Sequence, residues 1–294
     1  MTAVIFRRRR LGLGSANGIV SSMEEGCTIR THNPLRRTAR REGPWPDDTS
    51  LVIRWGCTAR IPVDCNRVLN TVEAINLVNN KAAFRILLDE QRLCPATWDS
   101  YDSWYNADPC PTPVIVRPRN HAQGRNLHVC NTRDAIERFC NRYGEGNYYI
   151  SELIYKSAEY RVFVAQGRAV WVARKTPGNP EDVAWNVARG GRFDNVRWNE
   201  WPLRVVRVAI EAFNLSGLDF GGVDVIVDQE RRAYVIEINS APSQTSPYRQ
   251  SCVARVFDYI IRNGKGTVPL ISERGGYRKF VHPAVCENAQ LPEQ

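Results

Sequence analysis

Residues 221–243 read GGVDVIVDQERRAYVIEINSAPS. Two alternating runs, VDVIVD and AYVIEIN, flank the polar connection Gln229-Glu230-Arg231-Arg232, which is the signature of a β-hairpin. With those four residues as the loop, Asp228 faces Ala233, Ile226 faces Val235 and Asp224 faces Glu237. Cross-strand partners point to one side of a sheet, and Asn239, two residues beyond Glu237, points there too. Three oxygen-bearing side chains therefore converge, and two of them carry like charge. Like charges directly opposite each other are destabilising, so the arrangement calls for a hard cation such as Mg²⁺ between them. The competing reading is a solvated hairpin face that carries acids.

The chain has 294 residues, enough for two domains or one enzyme of several subdomains. Its 43% hydrophobic and 10% aromatic content excludes a disordered chain. No apolar run reaches the roughly 18 residues of a membrane span. The N-terminus, Met1-Thr2-Ala3-Val4-Ile5-Phe6 followed by arginines, lacks the order of a signal peptide, so a cytoplasmic protein is expected. The nine cysteines are scattered, with no CxxC pair, and read as small reduced hydrophobes. The four histidines are not spaced as a metal site.

The net charge of +9 is uneven, because residues 1–60 hold eleven arginines against five acids. The clusters Arg7–Arg10 and Arg36-Arg37…Arg40-Arg41 are open to three readings: a nucleic-acid footprint, an anion-steering surface or an ordinary solvated face. No helix-turn-helix, zinc-finger or RNP pattern sharpens the first.

Along the chain, Val4-Ile5-Phe6 and Leu51–Gly56 are strand candidates in a small α/β unit, with the glycine-containing segment Gly12–Gly18 between them. Residues 72–93 carry apolar positions near helical spacing and predict one helix with Lys81 in its middle. Pro113–Pro118 and Leu127–Cys130 are strands around the polar loop Arg119–Asn126, the layout of a flap whose backbone N–H groups can cover phosphates. Thr132 caps a helix over 133–142. Tyr148–Ile154 is a strand, and Tyr160–Ala165 with Ala169–Arg174 forms a hairpin around Gln166-Gly167. Amphipathic helices follow over 203–215, closed by Gly217, and over 246–262, closed by Gly264. The tail from Lys265 is expected to be a peripheral extension.

Taken together and in this order, these motifs resemble the ATP-grasp superfamily of ATP-dependent carboxylate–amine ligases. The resemblance is strongest to the branch with ribosomal-protein glutamate ligases, glutathione synthetases and D-alanine ligases, and it covers about residues 75–262. Asn80-Lys81 followed by Pro95-Ala96-Thr97 resembles the segment whose lysine touches ATP phosphate. Pro113–Pro118 resembles the strand with a second phosphate-binding lysine, here replaced by Arg117, and the loop 119–126 stands where the family has a glycine-rich flap, with only Gly124. Ser151-Glu152-Leu153-Ile154 resembles the hinge that holds adenine, implying roles for Glu152 and Ile154. Glu159 matches the acid on the ribose hydroxyls, and Arg174-Lys175 stand where a basic residue meets phosphate or substrate. Trp185–Gly191, WNVARGG, resembles the segment beside the acyl phosphate, implicating Asn186 and Arg189. The thirteen-residue interval from Asp224 to Glu237, then two to Asn239, matches the family's magnesium ligands.

The resemblance implies an α/β architecture of the ATP-grasp type: a pre-ATP-grasp α/β domain over 1–74, then two α+β subdomains, 75–146 and 147–264, that sandwich ATP, and a tail over 265–294. It implies ATP and Mg²⁺ as cofactors, two ions with Mn²⁺ as an alternative. Asp224, Glu237 and Asn239 would hold the metal, and Lys81, Arg117 and Lys175 would surround the phosphates. Arg189 would meet the acceptor carboxylate or the acyl-phosphate oxyanion. The implied reaction joins a small carboxylate to an amine, an amino acid or peptide among them, through an acyl phosphate. The alternatives are a ligase acting on a protein tail or modified nucleic acid, steered by the basic N-terminus, and a nucleotide-binding module without catalysis. An oligomer is compatible with the sequence, and the compact size and arginine bias suit a phage protein.

Overall fold

Alternation of apolar and polar side chains in the decisive hairpin is realised at the edge of a five-stranded antiparallel sheet in the computed structural model, which describes residues 2–9, 12–32, 44–119, 127–179, 183, 185, 190–266, 268 and 277–286. In chain order the first unit comprises β1 (Thr2–Arg8), α1 (Leu13–Ser21), β2 (Cys27–His32), β3 (Thr49–Trp55) and β4 (Val68–Leu69). Its strands are parallel, in the order β2-β1-β3-β4. The unbroken apolar runs of β1 and β3 fit strands covered on both faces, and Ala3–Ile5 and Leu51–Ile53 are buried.

The helix expected over 72–93 is instead two, α2 (Val72–Asn79) and α3 (Lys81–Glu90). Asn80 breaks the run at φ −80° and ψ 78°, and its side chain accepts from the Ala83 N–H at 3.3 Å. Asparagine competes for backbone donors in this way, which makes it a poor interior residue and a good cap. Lys81 thus opens α3 rather than lying mid-helix.

The second sheet holds β5 (Thr97–Trp98), β6 (Val114–Pro118), β7 (His128–Cys130) and β8 (Tyr148–Glu152), ordered β5-β8-β6-β7. It carries α4 (Tyr101–Tyr105) and α5 (Arg133–Tyr143), and Thr132 caps α5 by accepting from the Ala135 N–H. β8 hydrogen-bonds here and not in the sheet that follows.

The third sheet is built from β9 (Lys156–Ala165), β10 (Arg168–Thr176), β11 (Arg192–Val196), β12 (Phe220–Asp228) and β13 (Ala233–Asn239), ordered β11-β10-β9-β12-β13. The β9–β10 turn places Gln166 at φ 48° and Gly167 at φ 72°, the left-handed pair a two-residue hairpin needs. Between β11 and β12 runs α6 (Leu203–Leu215), and after β13 come α7 (Pro247–Asn263) and the short α8 (Pro283–Cys286).

Period-two alternation gives this sheet two distinct faces. Val162, Val164, Val172, Val223 and Val225 pack against α6 in one core. The opposite face is divided along its length. Phe163, Ala165, Trp171 and Phe220 form its apolar end, buried with α7 and the first unit. Beyond them the same face carries Glu159, Arg161, Lys175, Asp224 and Glu237.

The hairpin keeps the expected Asp224–Glu237 pairing but not the rest of the register. Ile226 pairs with Tyr234 and Val227 with Ala233, because a β-bulge lies beyond Asp224. The turn is one residue longer than expected, with the Asp228 N–H donating to the Arg232 carbonyl at 3.0 Å and Arg231 at φ 65°. The extra residue restores the register at the acids.

Residues 277–286 do not form a peripheral tail. Phe280, Val281 and His282 are buried, and the His282 N–H donates to the Ala169 carbonyl at 2.8 Å. No helix among the described residues is long and apolar enough to cross a membrane.

Candidate active site

The charged zone is organised in rows across the strands. Register places Arg161 on β9, Asp224 on β12 and Glu237 on β13 in one row, with Glu159 and Lys175 paired in the next. Arg161 grips Asp224 bidentately, Nε to Oδ1 at 2.5 Å and Nη2 to Oδ2 at 2.6 Å. Lys81, at the start of α3, donates to Glu237 Oε2 at 2.8 Å, and Asn239 Nδ2 donates to Glu237 Oε1 at 2.9 Å. Glu159 is buried between two lysines: Lys156 Nζ lies 2.5 Å from Oε2, and Lys175 Nζ hydrogen-bonds Oε1. Lys156 also stands 4.4 Å over the Trp185 ring.

Four cations, Arg161, Lys81, Lys156 and Lys175, thus meet three carboxylates, Asp224, Glu237 and Glu159. The excess is positive, as a phosphate-rich ligand requires. Burial works to raise the Glu237 carboxyl, but Lys81, the Asn239 N–H and Arg161 together hold it well below the usual carboxylate range. Burial dominates at Asp224 and pushes its carboxyl up against the pull of Arg161. Burial likewise opposes the charge of Arg161, yet Asp224, Glu237 and Glu159 outweigh it and raise the guanidinium further. For Lys156, burial prevails over Glu159 and lowers the ammonium.

The residues expected to hold a divalent cation suit one. Asp224 and Glu237 offer hard carboxylate oxygens from directly opposed positions, and Asn239, whose Nδ2 serves Glu237, keeps its amide oxygen as an acceptor. A carboxylate that burial pushes up, as at Asp224, is one that a further positive charge would favour in its ionised form.

Of the other expected residues, Arg117 lies on β6 opposite Tyr149, where burial lowers its pKa and Tyr149 and Glu237 act against that shift. Glu152 ends β8, and residues 153–155 lead directly into β9, so Glu152 and Ile154 lie at the joint between the two sheets. Arg174 differs from Lys175 in face: it pairs with Tyr160 and lines a cavity of about 550 Å³ beside α6, behind the sheet. Gly124, Asn186 and Arg189 lie outside the described residues, as do residues 120–126 of the flap, Arg10 and the cluster Arg36-Arg37…Arg40-Arg41.

The resemblance singles out Glu159 but not Arg161, two residues further along β9. Strand period puts the two on one face, but only the neighbouring strand brings Asp224 within reach of Arg161. Lys156 was also missed; three residues from Glu159, it breaks the alternation and reaches the acid by its long stem. Burial pushes the Cys94, Cys140 and Cys252 thiols up to about 11, which keeps these three protonated and poor nucleophiles.

A family model described as the RimK-like ATP-grasp domain matches residues 97–255, more than half of the chain. A probable alpha-L-glutamate ligase 2 of Hahella chejuensis (strain KCTC 2396) is 27% identical over 160 residues, which is 51% of this chain and 50% of that protein. The chain spans about half the length of the curated relatives it matches. A Chryseobacterium gregarium RiPP-associated ATP-grasp ligase, solved with ADP and a leader and core peptide, superposes with a TM-score of 0.61 at 15% identity, covering 87% of this chain and 96% of that one. D-alanine--D-alanine ligase from Bacillus anthracis gives a TM-score of 0.63 at 13% identity, covering 90% and 97%. At those identities the structural likeness is one of fold.

Proposed function

This chain belongs to the RimK-like ATP-grasp family, and on that premise we propose that it is an ATP- and magnesium-dependent ligase joining a carboxylate to an amine through an acyl phosphate. The observation that carries the reading is the row Arg161–Asp224–Glu237, closed at its edge by Lys81 and flanked by Glu159 with its two lysines. The substrate is an amino acid or peptide. Support comes from the glutamate ligase among the relatives and from the Chryseobacterium enzyme, whose structure contains a peptide.

A carboxylate is a poor acceptor for an amine because the leaving group would be oxide. In the proposed reaction a carboxylate oxygen takes the γ-phosphoryl group with ADP leaving, and the amine then displaces phosphate. Such transfers need positioning and charge stabilisation more than covalent help. Asp224, Glu237 and Asn239 would hold magnesium, which when bound neutralises charge on the β and γ phosphates. Lys81, Lys175 and Arg117 would place fixed cations around the phosphates. Glu159 would accept from the ribose hydroxyls, and the joint at Glu152 and Ile154 would seat adenine. Asn186 and Arg189 remain the proposed groups beside the acyl phosphate.

Thermal unfolding with and without MgATP tests this on wild type and Glu237→Gln. Ligand at 100 times its Kd stabilises by about 2.7 kcal/mol, a rise of about 4 °C for a chain of this size. The expected result is a magnesium-dependent shift in wild type and its loss, together with ADP-forming turnover, in Glu237→Gln. No shift in wild type, or full turnover in the variant, overturns the reading.

A further inference from the structure

One buried cation on the charged face has no hydrogen-bond or ion-pair partner among the described residues. Arg249 lies in the first turn of α7, is 5% exposed, and places its guanidinium 5.4 Å over the Trp171 ring and 5.7 Å over the Phe193 ring. Among the described residues it makes no hydrogen bond or ion pair, and its Nε is buried without an acceptor. The neighbouring cations differ: Arg161 has Asp224, Lys81 has Glu237, and Lys156 and Lys175 share Glu159. Asp194 is no substitute. Its side chain is on the alternate face of β11 from Phe193, is about half exposed, and is engaged by Thr176 and Arg192.

A guanidinium cannot shed its proton to escape burial, so it must be paired. The two rings offset part of the cost through cation–π attraction but accept no hydrogen bond from it in the plane of the fork. A second unpaired group lies on β11, the strand that carries Phe193. Asn195, two residues along β11 from Phe193 and on the same face, donates to Ser246 Oγ at 3.4 Å and keeps Oδ1 buried without a donor. Ser246 is the cap residue of α7, three positions before Arg249. The location is adjacent to the charged rows, since Phe193 also lies beneath Arg161, at 4.8 Å, and Lys175, at 5.4 Å. An unpaired cation over Phe193 and an unpaired acceptor two residues along the same strand face match a ligand that carries a carboxylate and an N–H.

We propose that Arg249 holds a carboxylate of the amino-acid or peptide substrate, with Asn195 Oδ1 accepting from an N–H of the same molecule. This rests on the ligase reading above. A planar fork on a carboxylate gives bidentate recognition that a lysine cannot reproduce.

The test uses wild type, Arg249→Lys and Arg249→Leu, each saturated with magnesium and AMPPNP. L-glutamate, D-alanine and trialanine are titrated calorimetrically, each beside its carboxamide. The expected result is that at least one acid binds wild type tenfold or more tightly than its amide. Arg249→Leu should lose that preference and Arg249→Lys keep part of it, while all three proteins keep the thermal shift with Mg-AMPPNP. If wild type shows the shift but prefers no acid, or if Arg249→Leu keeps the preference, the seat is overturned and Arg249 is only a packing element between two rings. If wild type shows no shift, the ligase reading itself fails and the seat with it. Should Arg249→Leu not fold, Asn195→Ala is expected to weaken the same acid at least threefold, and unchanged affinity overturns the proposal. With ATP and hydroxylamine, a hydroxamate of the bound acid identifies the carboxylate that is activated. Binding without hydroxamate identifies the carboxylate of the amine donor.

Discussion

Asp224 and Glu237 face each other across two strands, yet their surroundings push their protons in opposite directions. Glu237 stays ionised because Lys81 and the Asn239 amide favour the anion. Asp224 is dominated by burial and depends on Arg161 for its charge. Such opposed shifts at one site are a mark of functional carboxylates. A similar imbalance governs His282, fully buried in the segment that docks on the β9–β10 hairpin. Burial, with the Arg168 cation, lowers its pKa to about 3. Its Nδ1 accepts from the Ala284 N–H at 3.2 Å, so Nε2 carries the proton toward Gln166 Oε1 at 3.1 Å. The unfolded imidazole titrates near 6.5 and binds a proton that the native ring refuses. Stability is therefore full above about pH 6.5 and is lost as pH falls toward 3. Urea titrations should show the wild type losing about 2 kcal/mol more than His282→Gln between pH 7 and pH 5. Equal losses would mean that His282 is not buried neutral.

At the scale of elements, the hairpin shows what alternation can and cannot determine. Its two strands, the pairing of its acids and the side on which Asn239 lies follow from period-two geometry. The bulge does not, because a single extra residue on one strand leaves no trace in a pattern of apolar and polar letters. The break at Asn80 was hidden in a similar way: apolar spacing continues across it, and only the cap hydrogen bond ends one helix and starts the next. Gly222 is a further case. It lies between Arg161 and Pro242, and a Cβ there would stand 2.8 Å from the Pro242 Cβ. The loop after β13 folds back over β12, a contact no local pattern announces. Gly222→Ala should destabilise the protein by about 1–3 kcal/mol in urea unfolding, as overpacking does. A change of only a few tenths would show that the loop can yield.

At the scale of the molecule, the first unit and the five-stranded sheet are joined by a buried polar clasp. Asn70, at φ 61° and fully buried, donates its N–H to Asp219 Oδ2 at 2.7 Å and its Nδ2 to the Phe220 carbonyl at 3.1 Å. Its Oδ1 accepts from the Asp219 N–H at 2.8 Å and the Phe220 N–H at 3.2 Å. Phe220 in turn stacks on Trp55 of the first unit and meets Phe257 of α7 edge-on. Asn70→Ala leaves buried donors and acceptors unpaired and puts alanine in a left-handed conformation. It should cost about 2–4 kcal/mol in urea unfolding, and a loss below about 1 kcal/mol would show that the clasp contributes little.

The sequence by itself determined the class of fold, through the order of motifs that carries the family resemblance. It also determined the longer strands and helices and the convergence of Asp224, Glu237 and Asn239, because these last depend on periodicity and on turn, cap and acid spacing within short stretches. Short or polar elements such as β2, β5 and β11 carry no such local signal. Only the tertiary structure decided which cation meets which acid. Arg161 and Asp224 lie 63 residues apart, and Lys81 and Glu237 lie 156 apart. Their meeting depends on strand order and on where one helix ends, which no local stretch encodes. The same holds for Arg249, whose lack of a partner becomes visible only when every neighbouring element is in place.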